Sequence, residues 1–435
     1  FFPWQGTILP NVNGPLPVNR FIGEPGDGYD TERKTFGWLF EHKFNDQWTF
    51  RQNFRMSRTF NDSHYHYGDF FSLPGGWGLD PVGQRLLGRV NDKSLTWTRM
   101  TGVDNHVEGH FNTGALRHTL LIGAEYSRQR QDKREGSAYS SIDAYAPVYG
   151  IGYVPVTEFT DRPRTTQRNA GVYVQDQMKW NNWIFVAGLR HDRSTSGTAG
   201  SASETTSADS GRLGVMYTLP SGWSPYVSFT QSFTPQAGTD INGTLFKPLR
   251  GEQVEAGVKY QPEGSATSFT ASVYSLKEKN RIVSDSTNPD YGRQVDSTKN
   301  KGLELELKTT VARDLDLIAN YTYIDVDHKL TDMPRNQVSV WGKYRFSIAG
   351  VPGFSAGAGL RYMGGFRDVE GSSVGPRLPA VALLDLMFAY ESDKWRYALN
   401  INNAADKIYF STCLSRGDCW YGSRRNIVAS ATYRF

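Results

Sequence analysis

The chain has 435 residues, and its 48 basic side chains against 44 acidic ones are too evenly matched for a nucleic-acid binder. No run of like charge makes a tail or arm, and mean hydropathy is −0.52. No stretch of about 18 apolar residues occurs, which excludes a transmembrane helix but not a β-barrel, whose strands alternate lipid-facing and lumen-facing residues.

The chain opens on FFPWQGTILPNVNGPLPVN (residues 1–19), a loop-like stretch without an initiator Met, a basic n-region or an apolar h-region. The expectation is a fragment that lacks its natural N-terminus. From near Thr35 to Phe435 the pattern is alternation rather than helical periodicity. In GLELELK, Leu303, Leu305 and Leu307 point one way while Glu304, Glu306 and Lys308 point the other. In WRYALNINN, Trp395, Tyr397, Leu399 and Ile401 alternate with Arg396, Ala398, Asn400 and Asn402. The last strand places Ile427, Ala429, Ala431, Tyr433 and Phe435 on one face. One apolar and one polar face means a sheet between two different solvents.

Short connections recur at Asn45-Asp46, Asn181-Asn182, Pro220-Ser221-Gly222, Pro262-Glu263-Gly264, Arg313-Asp314 and Val351-Pro352-Gly353. Long Gly/Ser/Asp-rich segments fall between them, at 65–92, 135–163, 197–206, 237–249 and 413–421. Short turn and long loop alternate as in a transmembrane antiparallel β-barrel, with turns on the periplasmic side. This scheme counts 17 strands, many of 12–18 residues, more than the roughly 9 to 11 that cross a bilayer. An odd number does not close a bacterial single-chain barrel, and open edges in lipid strand backbone groups at several kcal/mol each. Further strands are therefore expected from outside this sequence. Aromatics near strand ends, Trp48, Trp180, Trp183, Tyr217, Trp223, Tyr226, Trp341 and Trp395, read as an interfacial girdle.

Cys413 and Cys419, the only cysteines, enclose Arg416-Gly417-Asp418. They fit an oxidising compartment, with no third or fourth cysteine for a zinc site. No GxSxG, phosphate-cradling Gly loop or other catalytic constellation is present, so no enzyme is expected. His64 and His66, in SHYHYGDFF, read as plain surface residues of a mobile loop rather than metal ligands.

Several stretches, in this order and spacing, carry a specific resemblance: GTILPNVNGPLP (6–17), LFEHKFNDQWTFRQNFR (39–55), GVYVQDQMKW (171–180), SPYVSFTQSFTP (224–235), GEQVEAGVKY (251–260), NKGLELELK (300–308), NINNAADKIYFSTC (400–413) and CWYGSRRNIVASATYRF (419–435). The chain resembles TonB-dependent siderophore receptors of the outer membrane of Gram-negative bacteria, and among them the ferrichrome-type hydroxamate receptors. The resemblance implies an all-β barrel of 22 strands whose lumen holds a plug domain, the size class of plugged outer-membrane transporters. Residues 1–435 would supply strands six to 22, a partial barrel domain without the plug. It also implies the partners: a ferric siderophore, the TonB–ExbB–ExbD complex, outer-membrane lipid and lipopolysaccharide, and the barrel assembly machinery, which the terminal ATYRF resembles a signal for. A monomer is expected.

The resemblance assigns the site residues too. Tyr65 and Tyr67 match a Tyr-x-Tyr pair of the fourth loop that lies against the siderophore. Phe1, Phe2 and Trp4 sit where the third loop supplies aromatics. Leu414 stands where the family has an aromatic, a departure from ferrichrome recognition, with Trp420 and Tyr421 as substitutes after the second cysteine. A Cys413–Cys419 disulfide is implied, and Arg416-Gly417-Asp418 becomes the turn of its ring. The lumen charges Glu252, Glu255, Glu304, Glu306, Lys308, Arg424 and Arg425 would hold the plug. No cofactor is implied, because the iron arrives wrapped in its own ligand. Alternatives in other classes are a passive porin-like channel, which predicts no plug, and an adhesin presenting the RGD loop. Within the receptor class, catecholate, haem or cobalamin cargo competes, and the tyrosine pair favours a hydroxamate.

Overall fold

The computed structural model describes residues 2–435 except 71, 237, 245, 286–291, 329, 331–332, 368–374 and 415. After the short β1 (Phe2–Pro3) come β2 (Gly28–Lys43), β3 (Trp48–Gly68), β4 (Leu86–Thr113), β5 (Leu116–Asp143) and β6 (Thr160–Trp180). The chain continues through β7 (Trp183–Thr198), β8 (Glu204–Tyr217), β9 (Trp223–Thr234), β10 (Leu249–Tyr260) and β11 (Ser268–Lys279). A separate small hairpin, β12 (Arg281–Ser284) and β13 (Gly292–Val295), precedes β14 (Thr298–Ala312), β15 (Leu315–Asp325), β16 (Asn336–Ile348) and β17 (Val351–Met363). Last come β18 (Val381–Glu391), β19 (Trp395–Asn402), the short β20 (Phe410–Cys413) and β21 (Asp418–Tyr421), and β22 (Asn426–Tyr433).

Seventeen of these strands form the barrel wall, each paired antiparallel with its neighbour from β2–β3 to β19–β22. No register pair joins β2 to β22 among the described residues, and both strands are exposed at every residue. The number agrees with the sequence count. The first strand begins at Gly28, seven residues before the expected Thr35, because β2 pairs with β3 as far as Gly28↔His64.

Antiparallel pairing transmits side-chain parity around the wall, since directly opposed residues share a face. One face carries Phe54, Val103, Ile122, Val174, Leu189, Val227, Val254 and Leu305, many of them exposed, as a surface meant for acyl chains would be. At its short-turn end stand Trp183 over Tyr217 (4.7 Å between ring centroids), Trp223 over Tyr260 (4.5 Å) and Trp395 over Tyr433 (4.9 Å). The other face is polar and laced across strands. Arg51 bonds Glu41 and Glu108, Tyr173 Oη donates to Asp104 (2.7 Å), and Arg190 reaches Glu125 and Asp192. Such bonds inside a water-filled lumen hold strand to strand without burying an unpaired charge.

Two aromatics read as girdle belong to this inner face instead. Tyr226 donates to Glu255 (2.6 Å). Trp341 lies flat on the wall because Gly357 and Gly359 opposite offer no Cβ: one built there would stand 2.5 and 2.2 Å from its ring. Arg424 and Arg425, read as lumen charges, precede β22 at the loop end, where Arg424 is paired with Asp406. The expected turn at 351–353 lies at Ala349 and Gly350, both with positive φ (48° and 80°), while Val351–Gly353 already belong to β17.

Two wall glycines on opposite faces test this reading. Gly359→Val drives a methyl-bearing Cβ into Trp341 and is expected to cost about 1–3 kcal/mol. Gly342→Val, at a position with nothing within 4 Å, should change stability by no more than about 0.5 kcal/mol. Equilibrium urea unfolding in lipid vesicles, followed by tryptophan fluorescence, measures both.

Candidate functional site

Two clusters of tightly packed apolar residues lie at the loop end. One cluster gathers Leu16, Ile22, Trp77, Leu87, Ile142 and Ala144. A second gathers Leu378 with both cysteines and packs Trp4, Ile8, Phe366 and Phe410 against them. These clusters fix three segments over the mouth: residues 2–27, the β3–β4 connection and the chain between β19 and β22.

The expected long loop at 65–92 is strand at both ends: β3 runs to Gly68 and β4 begins at Leu86, in unbroken register from Trp48↔Gly109 to Gly68↔Arg89. Parity therefore carries over from the wall. Tyr65 and Tyr67 continue the polar inner face of Arg51 and Asn53, whereas His64 and His66 continue the face of Phe50 and Phe54. The tyrosine rings lie 5.7 Å apart, and Tyr67 Oη donates to Asp92 (2.7 Å). Some ten residues of β3 suffice to cross a bilayer, so the pair stands above it. Burial first, then the hydrogen bond to Asp92, pushes the Tyr67 phenol far above its ordinary value, and burial also raises Tyr65. Both stay neutral: aromatic faces with an O–H, not phenolates able to bind iron.

Cys413 and Cys419 are joined in a disulfide with 4.0 Å between their Cα atoms. They face each other in the β20–β21 hairpin, to which β1 adds a third strand through Phe2↔Cys419 and Pro3↔Asp418. The ring turns through Gly417 at φ 113°, and a Cβ there would stand 2.9 Å from the Cα of Gly75. Asp418 is completely buried and accepts from Arg416 (2.8 Å) and the Trp420 indole (2.9 Å). A carboxylate so enclosed cannot be offered to an integrin metal, so the RGD triplet is structural. Arg416 in turn lies near enough to Tyr67 for its charge to oppose the rise of that phenol, bringing ring and tyrosine pair together.

The other expected aromatics occupy the seams of this assembly. Phe1 lies outside the described residues. Phe2 meets Tyr421 edge-on (5.4 Å), and Tyr421 stacks on Phe410 (4.8 Å). Trp4 packs in the second cluster, Leu414 donates its N–H to Asp418 O (2.8 Å), and Trp420 is 39% exposed.

His64 and His66 are not residues of a mobile loop: both lie in β3, and the His66 side chain is fully buried. Beside them Arg89, also buried, bonds Glu24 (2.7 Å) and the carbonyls of Ile22 and Gly23. Sequence reasoning missed Glu24, Asp27, Arg89, Asn91 and Asp92. The alternation of β4 offered a route to Asp92, once its register against Tyr67 was known.

With this geometry in place, comparison with known proteins defines the class. Residues 2–404 match the family described as TonB dependent receptor-like, beta-barrel, and the chain belongs to it, an outer-membrane β-barrel protein. It is similar to the ferrioxamine B receptor of Salmonella typhimurium, 31% identical over all of this chain and 63% of that protein. It is similar to the ferrichrome outer membrane transporter/phage receptor of Escherichia coli K12 as well, 28% identical with the same coverage. The chain thus spans somewhat less than two thirds of these relatives. Among solved structures, the ferric-catecholate import receptor Fiu of E. coli superposes with a TM-score of 0.81 at 18% identity, covering 100% of this chain and 68% of that one, which shows the shared fold.

If the buried Asp418 carboxylate clamps the ring, its loss frees Arg416 for proteolysis. Asp418→Ala, or Cys413→Ser with Cys419→Ser, should raise the rate of trypsin cleavage after Arg416 at least about tenfold, since each hydrogen bond to a buried charge holds about 1.5–3 kcal/mol. The barrel should keep its heat-modifiable migration on gels.

Proposed function

We propose that this chain forms the wall and extracellular cup of a TonB-dependent transporter that imports a ferric siderophore, of hydroxamate class. The observation that carries the reading is the Tyr65–Tyr67 pair, on the lumen-side face and beside a disulfide-pinned ring, at the rim of the mouth. A ferric hydroxamate presents a bulky, mostly apolar exterior, and its own oxygens fill the metal's coordination. Such cargo needs aromatic faces and a few hydrogen-bond partners rather than protein ligands to iron. The half-exposed Tyr65 and Trp420 offer those faces, and Phe2, Trp4, Leu414 and Tyr421 hold the ring that presents them.

The two unsealed edges support the further expectation that more strands and a plug complete the transporter. In lipid every unsatisfied backbone group costs several kcal/mol, and β2 and β22 each present a full row of them. Inner-face charges such as Glu255 and Glu304 would then bond a plug, whose displacement by the TonB–ExbB–ExbD motor opens the path. The iron is cargo, and no resident cofactor is called for.

Tyr65→Ala is expected to weaken binding of ferrioxamine B or ferrichrome at least about tenfold, roughly 1.4 kcal/mol. Tyr67→Phe, which keeps the ring and removes the bond to Asp92, should cost less. Fluorescence quenching on titration with the ferric siderophore measures both. In a strain without siderophores of its own, deletion of the gene should abolish iron uptake from at least one of ferrichrome, ferrioxamine B and coprogen. Undiminished uptake from all three rejects the hydroxamate assignment.

A further inference from the structure

The tip of the β3–β5 sheet has one covered face and one open face. On the covered side His66, Leu87, Arg89, Asn91 and Ile142 are all buried. Leu16, Ile22 and Trp77 pack there, and Asp27 and Glu24 bond His66 and Arg89. Alternating with these residues are Tyr65 and Tyr67 on β3, Val90 and Asp92 on β4, and Ser137 and Tyr139 on β5. The register extends the open face from strand to strand: Tyr67 opposes Val90, and Val90 opposes Tyr139. Directly opposed residues share a face. Tyr139 therefore projects on the lumen side at the height of Tyr67, two strand spacings or about 10 Å away.

Tyr139 is 61% exposed, more than Tyr65 at 40%. Among the described residues its ring meets no other ring and its hydroxyl has no hydrogen-bond partner. The next tyrosines along the chain are spent on the fold: Tyr145 Oη donates to Gly14 O and Tyr149 Oη to Phe21 O. Tyr139 packs nothing together, yet it stands on a strand whose reverse side is anchored. An aromatic ring held rigidly in the open, with an unspent hydroxyl at its tip, is the kind of side chain that dominates recognition.

We propose that Tyr139 is a third aromatic of the cup, and that the ferric hydroxamate lies across β3–β5. Tyr65 and Tyr67 flank it on one side and Tyr139 on the other. This rests on the reading of the chain as a ferric-siderophore receptor. The oxygens that wrap the iron carry negative charge and accept hydrogen bonds. Tyr67 Oη is already given to Asp92 (2.7 Å), so Tyr67 presents its ring, whereas Tyr139 adds both a ring and an O–H donor. Residues on two strands, rather than one Tyr-x-Tyr pair, then set which cargo shapes fit.

Fluorescence quenching of the full-length protein by ferrioxamine B and ferrichrome, both iron-loaded, tests this. Tyr139→Ala should weaken binding of at least one of them by about fivefold or more, as loss of an interface anchor does. Tyr139→Phe, which keeps the ring, should fall between the parent and Tyr139→Ala. Heat-modifiable migration verifies that each variant keeps its barrel. A second measurement needs no loss of affinity: both native cysteines are in the disulfide, so the Tyr139→Cys variant offers one thiol. Saturating ferric siderophore should slow its alkylation at least about fivefold. It should leave unchanged the alkylation of Val148→Cys, at a 59% exposed position of the segment after β5. If Tyr65→Ala weakens binding while Tyr139→Ala does not and its thiol stays unprotected, the third aromatic is refuted and the receptor reading stands. Failure of the parent protein to bind either hydroxamate removes that reading, and the proposal with it.

Discussion

A peptide group in the hydrocarbon of a membrane has no water to bond, so it must find another strand. Everything else in this molecule follows from that demand. Antiparallel pairing answers it for β3 through β19, and the pairing in turn assigns every side chain to one of two faces. The outer face can be apolar because lipid covers it; the inner face can be charged because water does. Arg51, Asp104 and Arg190 are affordable on the wall only because each bonds a neighbour across the ladder. Among the described residues β2 pairs only with β3 and β22 only with β19, and both are exposed along their whole length.

Much of this was legible in the alternation. The 17 strands, their antiparallel order and the placement of Leu303, Leu305 and Leu307 opposite Glu304, Glu306 and Lys308 follow from period two, because lipid and water impose it on every crossing. Legibility fails where the strands leave the bilayer. Asn61, Asp62, Ser63 and His64 continue β3 with polar side chains on both faces, so the pattern vanishes while the hydrogen bonds persist. That is why an irregular loop was expected at 65–92, although both its ends, 65–68 and 86–92, are strand. Tyr226 and Trp341 failed differently: position near a strand end suggested the girdle, while parity opposite to that of Val227 and Val340 already put them inside.

The loop end obeys another rule. With no lipid to press strands together, its order comes from packing and from covalent and ionic ties. Three segments far apart in sequence meet there: Phe2 pairs with Cys419, Gly417 touches Gly75, and Arg89 holds Glu24. None of these contacts has a periodic signature, so no single stretch announces them. The short motif RGD shows the hazard of reading such regions by letters, since its aspartate is spent on Arg416 and Trp420 inside the ring.

The register of β3 joins these two regimes. Because parity runs unbroken from Trp48 at the turn end to Gly68 at the mouth, the wall decides which side Tyr65 and Tyr67 face before any loop contact forms. One residue of slip would exchange the tyrosines with His64 and His66, placing buried ring nitrogens in the mouth and phenols against Asp27. The Asp27–His66 bond and the Tyr67–Asp92 bond, on opposite faces of one strand, are both satisfied only in the observed register. Polar contacts above the membrane thus reinforce a choice that lipid below has already made, and the cup's orientation is a property of the barrel.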